Sequence, residues 1–303
     1  MLRTLEAQVG AAVIRLVERA QRRKVHAELK RHHARDGRST PYLECGPQGA
    51  PTLVWLHGFG DKPDSFLRAA EPLVGRYRIV APALPGFGDG WFSPRETHTY
   101  ESYAAWMGEI ARDVGGPKFH LMGNSLGGAI ASRIVADDDE GRVASLVLVN
   151  SAGVDAPGVR STVDEVREGH NLFVVRDLAG YERFLARIFA RAPYMPRPVR
   201  LHMVDELRRS AEWYERVMQD LALSAVEGNI EGVLSIVDLK RIRVPTLVVW
   251  GDQDSLFPVA HAEHVARHIQ GARLELLQGV GHCPHIEAPG RLAALIERFV
   301  ATN

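Results

Sequence analysis

The chain has 303 residues, which is enough for one large core with an insertion or for two domains. Lys and Arg together number 37, as do Asp and Glu, so the formal net charge is zero and excludes a globally basic nucleic-acid-binding protein. The two cysteines, Cys45 and Cys283, are too few for a disulfide framework, and we expect them to be reduced thiols.

The N-terminal segment has the pattern of an amphipathic helix over residues 2 to about 33, because apolar residues recur at three- and four-residue spacing. Residues 1–42 hold ten Lys and Arg against four Asp and Glu, so a basic arm, residues 1–41, precedes an acidic body. We expect residues 1–35 to contact the surface of an anionic membrane, or else to dock on the protein's own cap or on a second subunit.

The same segment does not have the pattern of a targeting signal. Glu6, Arg15 and Glu18 interrupt its apolar residues before a signal-peptide core can form. No window in the chain offers the run of about 18 apolar residues that a membrane span needs. We therefore expect a cytoplasmic protein, with association to a membrane surface as the alternative that the basic arm leaves open.

From Tyr42 onward, short apolar runs alternate with helical patterns, which is typical of an α/β protein with a mostly parallel sheet. Val, Leu and Ile dominate the runs without strict alternation, as expected for strands covered on both faces. Strands are predicted near Tyr42–Glu44 and at Thr52–Leu56, Tyr77–Ala81, Phe119–Met122, Ala144–Asn150, Thr246–Trp250 and Arg273–Leu277. The core of the fold is thus assigned to residues 42–151 and 243–303.

Between Asn150 and Val244 the alternation stops and helical patterns replace it. A connection of about ninety residues is too long for a simple loop, so residues 152–242 are predicted to form a helical cap. Such a cap would cover the carboxyl ends of the strands, where ligands bind in open α/β sheets. Its predicted helices are Leu172–Leu178, Tyr181–Ala190, Val199–Arg209 and Ala211–Leu223.

A serine stands between two glycines in Gly123-Asn124-Ser125-Leu126-Gly127, where a predicted strand leads into a predicted helix. Small flanking residues permit a strained, exposed turn at such a corner, and this geometry is typical of a nucleophile. The pattern also arises by chance in ordinary glycine-rich turns. The strand before Ser125 and the helix after it favour the nucleophile.

A serine nucleophile needs a base to take its proton and an acid to orient that base. Asp252 and Asp254 follow one predicted strand, and His282 and His285 follow the next. Because the carboxyl ends of parallel strands meet at one edge of a sheet, an aspartate and a histidine from these loops can meet the serine there. His57 is a third candidate base, although a structural hydrogen-bonding role suits its position in a turn better.

The turn Leu56-His57-Gly58-Phe59-Gly60 closes a predicted strand and is the candidate anion site. Acyl transfer passes through a negatively charged oxygen, and one preset amide donor typically contributes roughly 3–4 kcal/mol to stabilising it. The N–H groups of Phe59 and Leu126 are the candidate donors.

Four stretches together resemble the α/β-hydrolase family, and more narrowly its monoacylglycerol lipase and carboxylesterase branch: His57-Gly58-Phe59-Gly60, Gly123 to Gly128, Trp250-Gly251-Asp252-Gln253-Asp254 and Gly281-His282. The resemblance implies a mostly parallel sheet flanked by helices, with a helical cap inserted between strands 6 and 7. It also implies Ser125 as nucleophile, Asp254 as acid, His282 as base, and Phe59 and Leu126 as oxyanion donors. One departure is Ala83, where the family often has an acidic residue before its P-G-x-G turn.

Serine as nucleophile points to carbonyl chemistry, and we expect hydrolysis of carboxylic esters with an apolar acyl chain, including monoacylglycerols, without a cofactor or metal. Apolar residues of the cap would bind the acyl chain, and the candidates are Phe173, Phe184, Ile188 and Trp213. One alternative is a carbon–carbon hydrolase of aromatic ring-fission products, which needs a cap cation such as Arg187 or Arg191. A second is a catalytically idle ligand receptor on the same fold.

His261, His264 and His268 fall on one face of a predicted helix. Without a carboxylate and a third ligand in a known pattern, we expect a solvated helix edge rather than a metal site.

Overall fold

A computed structural model of the protein describes residues 2–93, 95–228 and 236–303. Its centre is an eight-stranded sheet with the order β1-β2-β4-β3-β5-β6-β7-β8. The strands are β1 (Glu28–His33), β2 (Ser39–Cys45), β3 (Thr52–Leu56), β4 (Arg78–Pro82), β5 (Phe119–Asn124), β6 (Val143–Val149), β7 (Thr246–Gly251) and β8 (Arg273–Leu277). β1 and β2 are antiparallel to their neighbours. The other six strands, β3 to β8, are parallel to one another.

Helices connect the strands and cover both faces of the sheet. They are α1 (Leu2–Lys24), α2 (Leu67–Ala70), α3 (Tyr100–Gly115), α4 (Leu126–Ala136), α5 (Thr162–Arg167), α6 (Leu178–Ile188), α7 (Arg197–Gly228), α8 (Ile236–Arg241), α9 (Val259–His268), α10 (Pro284–Glu287) and α11 (Pro289–Val300), with a 3-10 helix at Pro63–Phe66. α5 to α8 lie between β6 and β7, as the fold prediction places the cap.

Alternate residues of the central strands enter two different apolar clusters. In β3, Val54 and Leu56 face the cluster that contains α3 and α4, whereas Leu53 and Trp55 face the cluster that contains α2 and α11. All four side chains are fully buried. Burial on both faces explains why the strands are continuous apolar runs rather than alternating ones, and the seven predicted strands all overlap observed strands.

The prediction of one helix to about residue 33 is wrong. α1 ends at Lys24, His26 adopts a left-handed φ of 51°, and residues 28–33 form β1. β1 pairs with β2 from Glu28 opposite Glu44 to His33 opposite Ser39. Pairing with β2 overrides the helical pattern of residues 28–33. The spacing of apolar residues within this segment does not show that β2 is available as a partner.

α1 packs along the cap helix α7. At Gly10 a Cβ atom would lie 2.0 Å from the carbonyl oxygen of Pro198, so the backbones touch there, and Ala7 is buried one turn earlier. Five large apolar residues of α1 are nevertheless exposed: Leu5, Val9, Val13, Leu16 and Val17. Among the described helices, none combines the length and the hydropathy that crossing a bilayer requires.

The cap departs from its predicted helices, and two of its helices, α5 and α8, were not predicted. α7 is one continuous helix where two were predicted, because no glycine or proline interrupts residues 209–211. Residues 172–177 are not helical, and α6 begins at Leu178 because Asp177 caps it, accepting a hydrogen bond from the N–H of Gly180 at 2.7 Å.

Candidate active site

Ser125 occupies the sharp turn between β5 and α4, with φ 52° and ψ −121°. Two glycines allow the turn to form. A Cβ atom on Gly123 would lie 2.1 Å from the carbonyl oxygen of Gly127, and one on Gly127 would lie 2.2 Å from the carbonyl oxygen of Leu56. The left-handed φ of a non-glycine residue is a strained conformation, which proteins retain mainly at functional sites.

His282 and Asp254 form a buried pair. Nδ1 of His282 and Oδ2 of Asp254 are 2.8 Å apart, and both residues are almost inaccessible to solvent. Burial would raise the pKa of Asp254, but the charge and hydrogen bond of His282 and a hydrogen bond from Asn150 outweigh it and lower that pKa. The carboxylate is therefore charged and can only accept, so it holds a proton on Nδ1 of His282, and in the neutral ring this tautomer has Nε2 as its acceptor.

Sequence reasoning missed Asn150, the residue after β6. Its side chain donates to Oδ2 of Asp254 at 2.6 Å and accepts from the N–H of Gly251 at 3.2 Å. Like Ser125, it has a left-handed φ, of 44°. The position of an asparagine directly after a buried strand could have identified this role. Asn tolerates a left-handed φ, and its side chain supplies both a hydrogen-bond donor and an acceptor.

Ser125 and His282 lie at the same edge of the sheet. The side chain of Asn124, next to the serine, donates to the carbonyl oxygen of His282 at 3.4 Å. Phe257 lines the cavity of Ser125, and its ring centroid is 5.6 Å from that of His282. Across the described part of the chain, no hydrogen bond joins the Ser125 hydroxyl to His282, so proton transfer between them stays a prediction.

The competing aspartate and histidines have other surroundings. Asp252 accepts from the N–H of Gly279 at 2.7 Å and so braces the loop that leads to His282. Both ring nitrogens of His57 are used, since Nε2 accepts from the N–H of Leu84 at 2.9 Å and Nδ1 donates to the carbonyl of Gly58 at 2.9 Å.

His285 is fully buried, with its Nε2 3.6 Å from Oδ2 of Asp61. Burial raises the pKa of the Cys283 thiol, which is therefore protonated.

The candidate oxyanion donors flank the nucleophile. Leu126 is the first residue of α4, and the first N–H groups of a helix have no partner within it. Phe59 follows Gly58, whose Cβ position would lie 3.2 Å from the Cβ of Ser125. Across the described residues, neither the N–H of Phe59 nor that of Leu126 donates to a backbone carbonyl in the turns and loops.

A cavity of about 50 Å³ opens on Ser125 and has an almost entirely apolar lining. The lining comprises Phe59, Tyr100, Ser125, Leu126, Ala152, Thr162, Val163, Val166, Phe173, Met218, Leu221, Leu256 and Phe257. The cavity brings together Ser125, both oxyanion candidates and Phe173 from the predicted set.

Three other predicted pocket residues lie outside this lining. Phe184 packs on Phe173 with ring centroids 5.7 Å apart, and Ile188 accepts a hydrogen bond from the N–H of His282 at 2.8 Å. Trp213 donates to the carbonyl of Gly86 at 2.8 Å. Apolar residues of the cap that face the cavity and those that only pack within the cap look alike in the sequence. The sequence alone therefore did not distinguish Phe173 from the other three.

The expectation of a solvated histidine edge on α9 is wrong. His261 and His264 are buried, and Nδ1 of His261 accepts from the N–H of Ala156 at 2.9 Å. His261 thus packs against the loop that follows β6, whereas His268 is half-buried. Within the described ranges, no three His, Cys, Asp or Glu side chains are grouped as metal ligands would be.

Comparison with known proteins agrees with this fold. The model of the alpha/beta hydrolase fold family matches residues 51–289. Lipase 1 of Psychrobacter immobilis is 28% identical over 269 residues, covering 88% of this chain and 82% of the relative. A pimeloyl-acyl-carrier-protein methyl ester esterase of Aeromonas hydrophila is 32% identical over 261 residues, covering 82% of this chain and 95% of the relative.

Among solved structures, the crystal structure of a membrane phospholipase A, described as a bacterial virulence factor, superposes with a TM-score of 0.88 at 28% identity, covering 97% of this chain and 92% of the other. The predicted resemblance to lipases and esterases is confirmed. The chain belongs to the α/β-hydrolase fold family.

Proposed function

We propose that the protein is a serine hydrolase that cleaves carboxylic esters with an apolar acyl chain through an acyl-enzyme intermediate. The observation that carries the proposal is the position of Ser125, which sits in a strained turn, opens on an apolar cavity and lies at the same sheet edge as the paired His282 and Asp254. The ester-cleaving relatives support the same class of reaction.

In the proposed reaction, Nε2 of His282 takes the proton of the Ser125 hydroxyl as the serine oxygen attacks the ester carbonyl. His282 becomes positively charged, and the buried Asp254 carboxylate stabilises that charge while it holds the ring in place. The carbonyl oxygen becomes negative and accepts hydrogen bonds from the N–H groups of Phe59 and Leu126.

Collapse of this intermediate expels the alcohol, which takes the proton from His282. Water then attacks the acyl-enzyme with His282 again as base, which releases the acid and restores Ser125. The N–H of Leu126 needs no rearrangement to act as a donor because the helix that begins there already directs it outward.

The apolar lining suits an acyl chain, and its size points to a short one. At about 50 Å³ the cavity is well below the roughly 150 Å³ of an engineered cavity that binds benzene. Phe173 and Met218 of the cap form part of its wall, so longer chains require these side chains to move.

The carbon–carbon hydrolase alternative needs a free cation over the pocket. Arg187 donates to both carboxylate oxygens of Glu165, at 3.0 and 3.2 Å, and to the carbonyl of Ser255. Glu165 and Ser255 already hold its guanidinium, which removes Arg187 from that role and leaves only the exposed Arg191 of the two predicted cations.

A panel of p-nitrophenyl esters with acyl chains of two to twelve carbons tests the proposal, together with monoacylglycerols. We expect turnover that falls by roughly 10⁴-fold or more in Ser125→Ala. A fluorophosphonate should label the wild-type protein and not this variant. If Ser125→Ala retains the activity, Ser125 is not the nucleophile. If the wild-type protein neither cleaves these esters nor is labelled, it is a ligand receptor or a different enzyme.

We further propose that the exposed side of α1 contacts an anionic membrane surface. The five apolar residues Leu5, Val9, Val13, Leu16 and Val17 are exposed although α1 packs on α7, and Arg15, Arg19 and Arg23 are exposed on the same helix. Burial of apolar side chains and about 1 kcal/mol per basic residue near an anionic surface favour such a contact.

Deleting residues 1–35 would remove β1, so point variants give the sharper test of this contact. In sedimentation with phosphatidylglycerol-containing vesicles, Val9→Glu with Leu16→Glu should lower binding at least tenfold. Leu276→Glu, at an exposed apolar residue of β8, is the matched control. Equal binding of all three proteins would contradict a contact through α1.

A further inference from the structure

Residues 278–283, called the base loop below, carry His282 from β8 to α10 and contact the cap. The N–H of His282 donates to the carbonyl oxygen of Ile188, the last residue of α6, at 2.8 Å. The backbones meet closely at this point, because a Cβ atom on Gly281 would lie 2.8 Å from the same oxygen. The proposed base therefore lies directly against residues 187–191, which are called the cap edge below.

Glu287 of α10 makes a second connection between the base loop and the cap edge. Its Oε1 accepts a hydrogen bond from the N–H of Gly281 at 2.9 Å. Its Oε2 accepts from the N–H groups of Ala190 at 2.9 Å and Arg191 at 3.2 Å. One half-buried carboxylate thus joins the residue before His282 to the cap, and no step of the proposed reaction uses this carboxylate.

Two asparagines at the ends of strands hold the other side of the same backbone. The carbonyl of Gly281 accepts from the side chain of Asn150, and the carbonyl of His282 accepts from the side chain of Asn124, each at 3.4 Å. These contacts are longer than the usual range for an N–H···O hydrogen bond. The stronger hydrogen bonds that hold the backbone at His282 are therefore those to the cap edge and to Glu287.

The acid loop, residues 252–258, is tied to the cap edge as well. The hydroxyl of Ser255 donates to the carbonyl of Arg187 at 2.6 Å, and the Arg187 guanidinium donates to the carbonyl of Ser255 at 3.0 Å. Ser255 directly follows Asp254 in the chain. Neighbouring residues of the cap edge thus hold the loops of both Asp254 and His282.

We propose that Glu287 is a positioning residue that ties the base loop to the cap edge, so that His282 reaches Ser125 only while the cap edge keeps its contact with that loop. The inference rests on the proposed role of His282 as base. Proton transfer needs the two heavy atoms within about 2.6–3.2 Å of each other. A misplacement of about 1 Å can cost on the order of 10²-fold in rate, so loss of Glu287 acts on the rate of the reaction rather than on substrate binding.

Two substitutions test this link. Glu287→Gln keeps the size of the side chain, but its NH₂ group must face the N–H groups at one end of the link, and that end is lost. Glu287→Ala removes both ends. Glu44→Gln is the matched control, because this buried carboxylate also accepts three hydrogen bonds. Its donors belong to neither the cap nor the base loop: Lys30, Gln48 and Arg78.

The assay measures kcat and KM for p-nitrophenyl butyrate at a temperature where melting curves show each variant to be folded. We expect both Glu287 variants to lower kcat at least tenfold while KM stays within threefold of wild type. Glu44→Gln should melt at a lower temperature and keep kcat within threefold. If the Glu287 variants keep more than a tenth of the wild-type kcat, or if Glu44→Gln loses as much as they do, Glu287 only stabilises the fold.

A second measurement does not depend on hydrolysis. The proton between Nδ1 of His282 and Oδ2 of Asp254 should give a far-downfield proton NMR resonance, which His282→Ala assigns by its loss. We expect Glu287→Gln to shift or broaden this resonance and Glu44→Gln to leave it unchanged, and equal spectra in all three proteins would contradict the link. If the spectra respond as expected but the wild-type protein cleaves no ester, the proposed hydrolysis fails and the link between Glu287 and His282 stands.

Discussion

Replacing Asp254 with asparagine changes one buried oxygen into an amide NH₂ and tests the proposed acid directly. Oδ1 of Asp254 accepts from the N–H groups of Leu256 and Phe257 at 2.8 and 3.1 Å, and Oδ2 accepts from Asn150 and His282. The backbone donors cannot turn away. The amide oxygen of the variant must therefore face them, and its NH₂ group must face Asn150 and His282.

Two consequences follow from that orientation. Asn150 is held by Gly251 through its own amide oxygen, so its NH₂ loses its partner on residue 254 at a cost of about 1–3 kcal/mol of stability. His282 must accept at Nδ1 and carry its proton on Nε2, where it can no longer take the proton of Ser125. The wrong tautomer at a catalytic histidine lowers kcat by about 10⁴-fold, or roughly 5 kcal/mol of transition-state stabilisation.

The assay is kcat/KM for p-nitrophenyl butyrate, with thermal unfolding to follow stability. Asp252→Asn is the matched control, because an asparagine oxygen can still accept from the N–H of Gly279, and we expect activity within threefold of wild type. The reasoning is refuted if Asp254→Asn keeps a tenth of the activity, or if Asp252→Asn is the variant that loses it.

Three further predictions concern an ion-paired residue of the sheet, the turn that holds Ser125 and the acyl selectivity of its cavity. Burial would raise the pKa of Glu44, but hydrogen bonds from Arg78 and two other side chains outweigh it and lower the pKa to about 2. Glu44→Gln should therefore cost at most about 3 kcal/mol in urea unfolding at pH 7, and the difference from wild type should close as pH falls from about 4 to 2. Gly123→Ala forces a methyl group against the carbonyl of Gly127, so we expect loss of activity together with a lower unfolding temperature, whereas an unchanged melting curve would contradict the clash. Phe173→Ala enlarges the catalytic cavity and should move the preferred acyl length in the p-nitrophenyl ester series upward by several carbons, and an unmoved optimum would exclude this ring as a limit on chain length.

The strand-to-helix corner at Ser125 was predictable because its causes are local. An apolar run, two glycines and a helical pattern occur within about fifteen residues of one another, and close backbone approach leaves no alternative to glycine at Gly123 and Gly127. Strand predictions succeeded for a similar reason, since burial on both faces leaves a continuous apolar run.

The end of α1 was not predictable in the same way. Residues 25–33 are compatible with a helix on local pattern, and β1 exists because β2 offers it a partner for six residue pairs. The histidines of α9 illustrate the same limit. Their spacing placed them on one face, but whether that face meets solvent or protein depends on the loop after β6.

The amino-acid order is therefore sufficient for the family, for seven of the eight strands and for the positions of Ser125, Asp254 and His282 at the ends of strands, because each depends on residues close together in the chain. Which cap side chains reach the serine, how Asn150 braces Asp254 and where α1 lies depend on contacts between distant segments. Such contacts are selected by shape and pairing across the whole fold, and a local pattern of apolar and polar residues does not encode them.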